Sequence, residues 1–104
     1  GWTVARAGRW DVSQPAFQAV EAEARAKGCD EVLERKWAPT TVMETHTHPF
    51  EVRALVVQGE MWLTVGDEVR HLHPGDEFTL DHGMPHAERY GDAGATYWAA
   101  RRNS

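Results

Sequence analysis

The chain has 104 residues with 11 basic and 16 acidic side chains, a size that fits one domain and a balance that argues against nucleic-acid binding. Leu, Ile, Val and Phe number only 18, with no Ile, but the net charge is a mild −5 and 5 Trp supply large apolar area, so a folded chain is expected. No basic stripe exists beyond Arg35-Lys36 and Arg101-Arg102, and apolar runs such as Ala54-Leu55-Val56-Val57 are far too short for a membrane span.

Residues 2–5 read as a short leading strand. Ser13-Gln14-Pro15 then reads as a helix start, with Ser13 as N-cap and Pro15 in the first turn. Phe17, Val20 and Ala24 form an apolar stripe, Glu21/Arg25 and Glu23/Lys27 are i,i+4 pairs, and Gly28 suits the position after the helix. This predicts one amphipathic helix of about fifteen residues lying on the outside of something else. The lone Cys29 excludes an intrachain disulfide, reads as a small buried hydrophobe and fits a reducing cytoplasm. No signal-peptide pattern is present, and a start at Gly1 without Met points to a processed or trimmed terminus.

Beyond Gly28 the pattern changes to short strands punctuated by Pro, Gly and Asp, at 31–38, 41–47, 51–58, 60–65, 68–73, 76–80, 85–90 and 95–101. Glu60–Val65, Gly66-Asp67 and Glu68-Val69-Arg70 make a hairpin signal, and His73-Pro74-Gly75-Asp76 is a second turn. The expected architecture is a single all-β domain over 1–104: an antiparallel jelly-roll barrel at 31–104, preceded by a segment with one helix at 1–30.

Six histidines carry the chemical signal. In a strand, His46 and His48 project from one face, and His86 arrives about forty residues later at the end of Gly83-Met84-Pro85-His86. Three imidazoles from neighbouring strands can meet at one ion of Zn, Fe, Ni or Cu. Spacing alone leaves solvated surface histidines as the alternative. The second pair, His71 and His73, flanks Leu72, which is expected to point inward, so both histidines should face outward. His82 belongs to an exposed loop, and Trp62 and Trp98 read as core or interface residues.

The stretch His46-Thr47-His48-Pro49-Phe50-Glu51, followed by Val56-Val57-Gln58-Gly59-Glu60, resembles the first motif of the cupin superfamily. Pro74-Gly75-Asp76, Gly83 and His86 resemble the second, and the two together span 46–90. The resemblance, to the short single-domain cupin 2 type, implies a double-stranded β-helix with a metal inside, bound by His46, His48 and His86. It implies one divalent transition ion, Fe, Zn, Ni or Mn.

Several positions depart from the family pattern. The glycine that opens the first motif falls at Thr40, the usual proline of the second at Asp81, and its final asparagine at Tyr90. The acidic ligand, expected seven residues before Gly59, falls on Val52, with Glu51 one residue early and so on the other face of the strand. A bulge at Pro49 would return Glu51 to the metal, but a three-histidine set is the preferred reading. Such a set leaves the full 2+ charge on the ion and open coordination positions, which favours an anionic chelating ligand. Glu44 shares the face of His46, and Glu88 and Tyr90 share that of His86; the order of merit as acid–base candidates is Glu44, Tyr90, Glu88.

The expected function is a metal-binding cupin acting on a small anionic molecule, with dioxygenase chemistry ahead of isomerase or lyase chemistry. The competing reading is a non-catalytic binding or sensing module, and the third is a metal-free barrel. Neither nucleic acid nor membrane is expected as a partner. A homodimer is expected, because residues 2–5 could pair with a partner's sheet and five tryptophans exceed what one core absorbs.

Overall fold

The computed structural model describes residues 1–6 and 17–103. Ser13 and Pro15, the expected helix start, lie outside the described residues. Strand β1 (Trp2–Arg6) and helix α1 (Phe17–Ala26) precede six further strands: β2 (Glu31–Trp37), β3 (Val42–His46), β4 (Glu51–Val65), β5 (Glu68–Leu72), β6 (Asp76–Leu80) and β7 (His86–Arg102). All pairings are antiparallel, in the order β1-β6-β4-β7-β2, with β3 also on β7 and β5 also on β4. This is the expected jelly-roll architecture.

Two expected breaks are bends instead. The runs 51–58 and 60–65 form one strand, β4, and the runs 85–90 and 95–101 form another, β7. Their mutual ladder shifts register between Val56 and Gln58 and again between Gly59 and Met61. The shifts change the phase of each strand. Val52, Ala54 and Val56 face the interior before the bend, and Met61, Leu63 and Val65 after it; on β7 the inward set moves from His86, Glu88 and Tyr90 to Ala95, Tyr97 and Ala99. Gly59 permits the crossing: at φ 76°, a Cβ there would sit 2.1 Å from the Gly94 carbonyl oxygen. The glycines that look like strand ends let two long strands wrap the barrel.

The interior is filled by Met61, Leu63, Leu72, Phe78, Leu80 and Tyr90, with Trp37, Met43 and Phe50 packed against them. A smaller apolar cluster lies outside the barrel, where Phe17 and Val20 of α1 cover Leu55, Val57 and Trp98. Phe17 meets Trp98 edge-on at 5.4 Å. The helix ends as its sequence predicts: Gly28 has φ 89°, its N–H donates to Arg25 O, and the Cys29 N–H donates to Ala24 O. β1 pairs with β6 of its own chain, Val4 opposite Phe78, at one end of the strand order. No helix among the described residues is long and apolar enough to cross a membrane.

Candidate metal centre

β3 and β7 bring the first and last histidines together, since His46 and His86 are direct partners in the ladder. His48 lies just beyond β3 rather than within it, held where the Gly83 N–H donates to its carbonyl oxygen at 2.8 Å. Ring centroids are 4.4 Å apart for His46–His86, 4.8 Å for His46–His48 and 5.2 Å for His48–His86. One ring nitrogen from each lies within 4.8 Å of the other two.

The backbone decides which nitrogen is free. His46 Nδ1 is 2.7 Å from Glu44 O, and His86 Nδ1 is 2.9 Å from Met84 O. A carbonyl can only accept, so each Nδ1 donates a proton and each Nε2 is the nitrogen turned toward the shared space. His48 is held below the usual histidine range, first by burial and then by its neighbours His46 and His86. Phe50 stacks on His48 at 4.9 Å.

Glu88 faces the same space. Its Oε2 is 3.7 Å from His46 Nε2 and 3.8 Å from His86 Nε2. The carboxylate is 5% exposed, and its other oxygen accepts the Tyr90 hydroxyl at 2.5 Å and the Tyr97 hydroxyl at 3.2 Å. Burial, and then the adjacent charge of Glu88, pushes Tyr97 up to about 12. Tyr90 is pushed well above the ordinary tyrosine range by burial, Tyr97 and Glu88. Both phenols therefore stay protonated and donate, which offsets the cost of burying the carboxylate. A cavity of about 60 Å³ opens here, lined also by Arg35, Met43 and Arg101.

The structure places the three acid–base candidates differently from the expectation. Glu44 does not share the face of His46: the β3–β7 register shifts between Met43 and His46, so Met43 turns inward and Glu44 is exposed. Glu44 contributes its carbonyl, not its carboxylate. Tyr90 lies in the barrel behind Glu88, stacked on Trp37 at 5.2 Å, and Glu88, ranked last, stands beside the histidines. Glu51 lies on the outer face of β4, in a groove with α1, while Val52 lines the cavity. With Glu88 present, the histidines are not alone, and the charge argument based on three imidazoles loses one unit. Sequence reasoning missed Tyr97 and Arg101, because the bend in β7 hides their phase relative to His86. His71 and His73 are exposed about a buried Leu72, and His82 is exposed.

The profile described as "Cupin domain" matches residues 34–96, more than half of the chain. The chain belongs to the cupin family. No curated protein matches this cupin at a significant level. Among solved structures, it is similar to the DMSP lyase DddQ from Ruegeria pomeroyi at 28% identity and TM-score 0.59, over 68% of this chain and 36% of that one. A structure of the DMSP lyases RdDddP and RnDddQII matches at 22% and 0.64, over 68% and 37%. KdgF from Halomonas sp. matches at 23% and 0.64, over 70% and 67%. The cupin thus spans little more than a third of the lyase chains.

Proposed function

We propose that this cupin is a metal-dependent enzyme acting on a small anionic molecule by proton transfer, as a lyase or isomerase. The observation that carries the proposal is the buried Glu88 carboxylate, turned toward the three histidines by two tyrosine hydroxyls. The donor set fits a divalent transition ion: backbone carbonyls hold Nδ1 of His46 and His86 and turn their Nε2 atoms to the shared space, and His48 completes the set, with Glu88 left beside it as the base. A bound ion would polarise a substrate oxygen as a Lewis acid. The protein's own residues do the rest. Tyr90 and Tyr97 hold Glu88 Oε1, leaving Oε2 free to take a proton from a substrate carbon. Arg101, whose guanidinium lies 4.5 Å from the Phe50 ring centroid, and Arg35 supply positive charge at the cavity for an anionic group. The small cavity limits the reacting end of the substrate to a few atoms. The likeness to a protein named DMSP lyase supports this class over the dioxygenase that the three-histidine set favoured.

Proton exchange tests this directly. Small carboxylates incubated in D2O with the metal-loaded protein should lose carbon-bound proton signals by NMR, and Glu88→Gln should abolish that exchange. Oxygen uptake with the same acids, unaffected by Glu88→Gln, would replace the proposal with the dioxygenase reading. Ligand binding without either reaction would establish the binding module. A homodimer would use the second edge of β1, which ends the strand order, and surface tryptophan such as the half-buried Trp62, and sedimentation as a monomer at micromolar concentration would remove it.

A further inference from the structure

The second His-x-His pair builds a cluster on the opposite side of the barrel wall. In the β4–β5 ladder Met61 faces Leu72 and Trp62 faces His71. Met61 and Leu72 are fully buried, so alternation sends Glu60, Trp62, His71 and His73 to the outer surface. There His71 Nε2 lies 2.8 Å from Glu60 Oε2, and the rings of His71 and His73 are 4.2 Å apart. One ligating atom from each of Glu60, His71 and His73 lies within 4.8 Å of the other two. The cluster is also held in place. His71 lies flat on Trp62, with centroids 4.4 Å apart and planes within 2° of parallel, and the buried Leu72 anchors the backbone between the two histidines.

We propose that Glu60, His71 and His73 form a second metal site, on the outer surface of the barrel, for a divalent transition ion of the Zn2+, Cu2+ or Ni2+ class. Two imidazoles and one carboxylate suit these ions, whereas Mg2+ and Ca2+ take oxygen donors. The site needs no new conformation of the strands, because the ladder register already converges the donors. A hydrogen bond between His71 and Glu60 occupies only two of the three side chains. His73 Nδ1 is 3.8 Å from Asp76 Oδ2, an ion-pair distance for a protonated ring but longer than a hydrogen bond, so a metal ion has only this loose contact to compete with. Glu60 and His71 are each 40% exposed, so the remaining coordination positions face water. This site differs from the interior centre in access, and it does not depend on that centre being metal-bound.

Calorimetric titration of the metal-stripped protein with ZnCl2 tests the site. Replacing both exposed histidines (His71→Ala with His73→Ala) should remove one equivalent of bound Zn2+ from the otherwise intact protein. Circular dichroism should stay unchanged, since neither side chain is buried. In a His86→Ala background, one equivalent should remain, and Glu60→Gln should weaken it about tenfold. Titration with CuCl2 should quench tryptophan emission, and Trp62→Phe should remove the part of the quenching that the double histidine variant removes. Unchanged Zn2+ stoichiometry and unchanged Cu2+ quenching in the double histidine variant would overturn the proposal, whatever the interior centre does.

Discussion

Tyr90 and Tyr97 make a buried carboxylate tolerable. Glu88 at 5% exposure would leave a charge unpaired without the two phenols on Oε1. Tyr90→Phe keeps the ring stacked on Trp37 but removes the closer donor, and should cost about 1–3 kcal/mol in urea unfolding. His48 gives the pH dependence of the metal-free protein. Its folded value lies below the ordinary 6.5, so the unfolded chain takes up this proton at higher pH than the folded one. Stability from this residue is therefore full above about pH 6.5 and falls as pH drops through the lower folded value. Melting temperatures of the stripped protein should fall between pH 7.5 and 5.5, and His48→Gln should flatten that fall.

At the scale of elements, phase within the strands decides which side chains meet. β4 places Val52 in the cavity and Glu51 in the groove under α1. Glu51→Ala should therefore leave metal content unchanged by elemental analysis, whereas His86→Ala should remove the interior equivalent. The segment before β3 carries a departure that the backbone registers. Thr40, where the family has glycine, has φ 58°, a left-handed conformation unfavourable to a β-branched residue. Thr40→Gly should stabilise the protein by about 1 kcal/mol, since relief of this strain outweighs the entropy glycine adds to the unfolded chain. Equal or lower stability in chemical denaturation would show that its contacts, such as the Thr40 N–H to Gly91 O bond, matter more.

For the whole molecule, the long strands β4 and β7 join the two halves of the barrel, and the interior histidines hang from one end of that frame. β3 and β7 are linked through the candidate centre as well as through their ladder. A bound ion that the unfolded chain holds less tightly would add stability to the entire barrel, about 2.7 kcal/mol at a free concentration a hundredfold above Kd. Chelation should lower the melting temperature of the wild-type protein more than that of His86→Ala. Equal losses would place the stabilising ion elsewhere.

Alternation of apolar and polar residues, turn glycines and the two His-rich motifs were enough to read the jelly roll, the outer helix and the three histidines, because these are local patterns repeated along the chain. The inward turn of Leu72 and the outward turn of Glu51 followed from the same alternation. Glu44 lies away from the histidines because a register shift in β3 reverses the face of the residues before it, and nothing in Glu44-Thr45-His46 marks the shift. Tyr97 and Arg101 joined the cavity because β7 runs on through 91–94 while its register with β4 shifts there, which rephases everything after it. Strand phase is additive along the chain, so one unrecognised bulge misplaces every later side chain, and only the pairing of distant strands reveals where bulges fall.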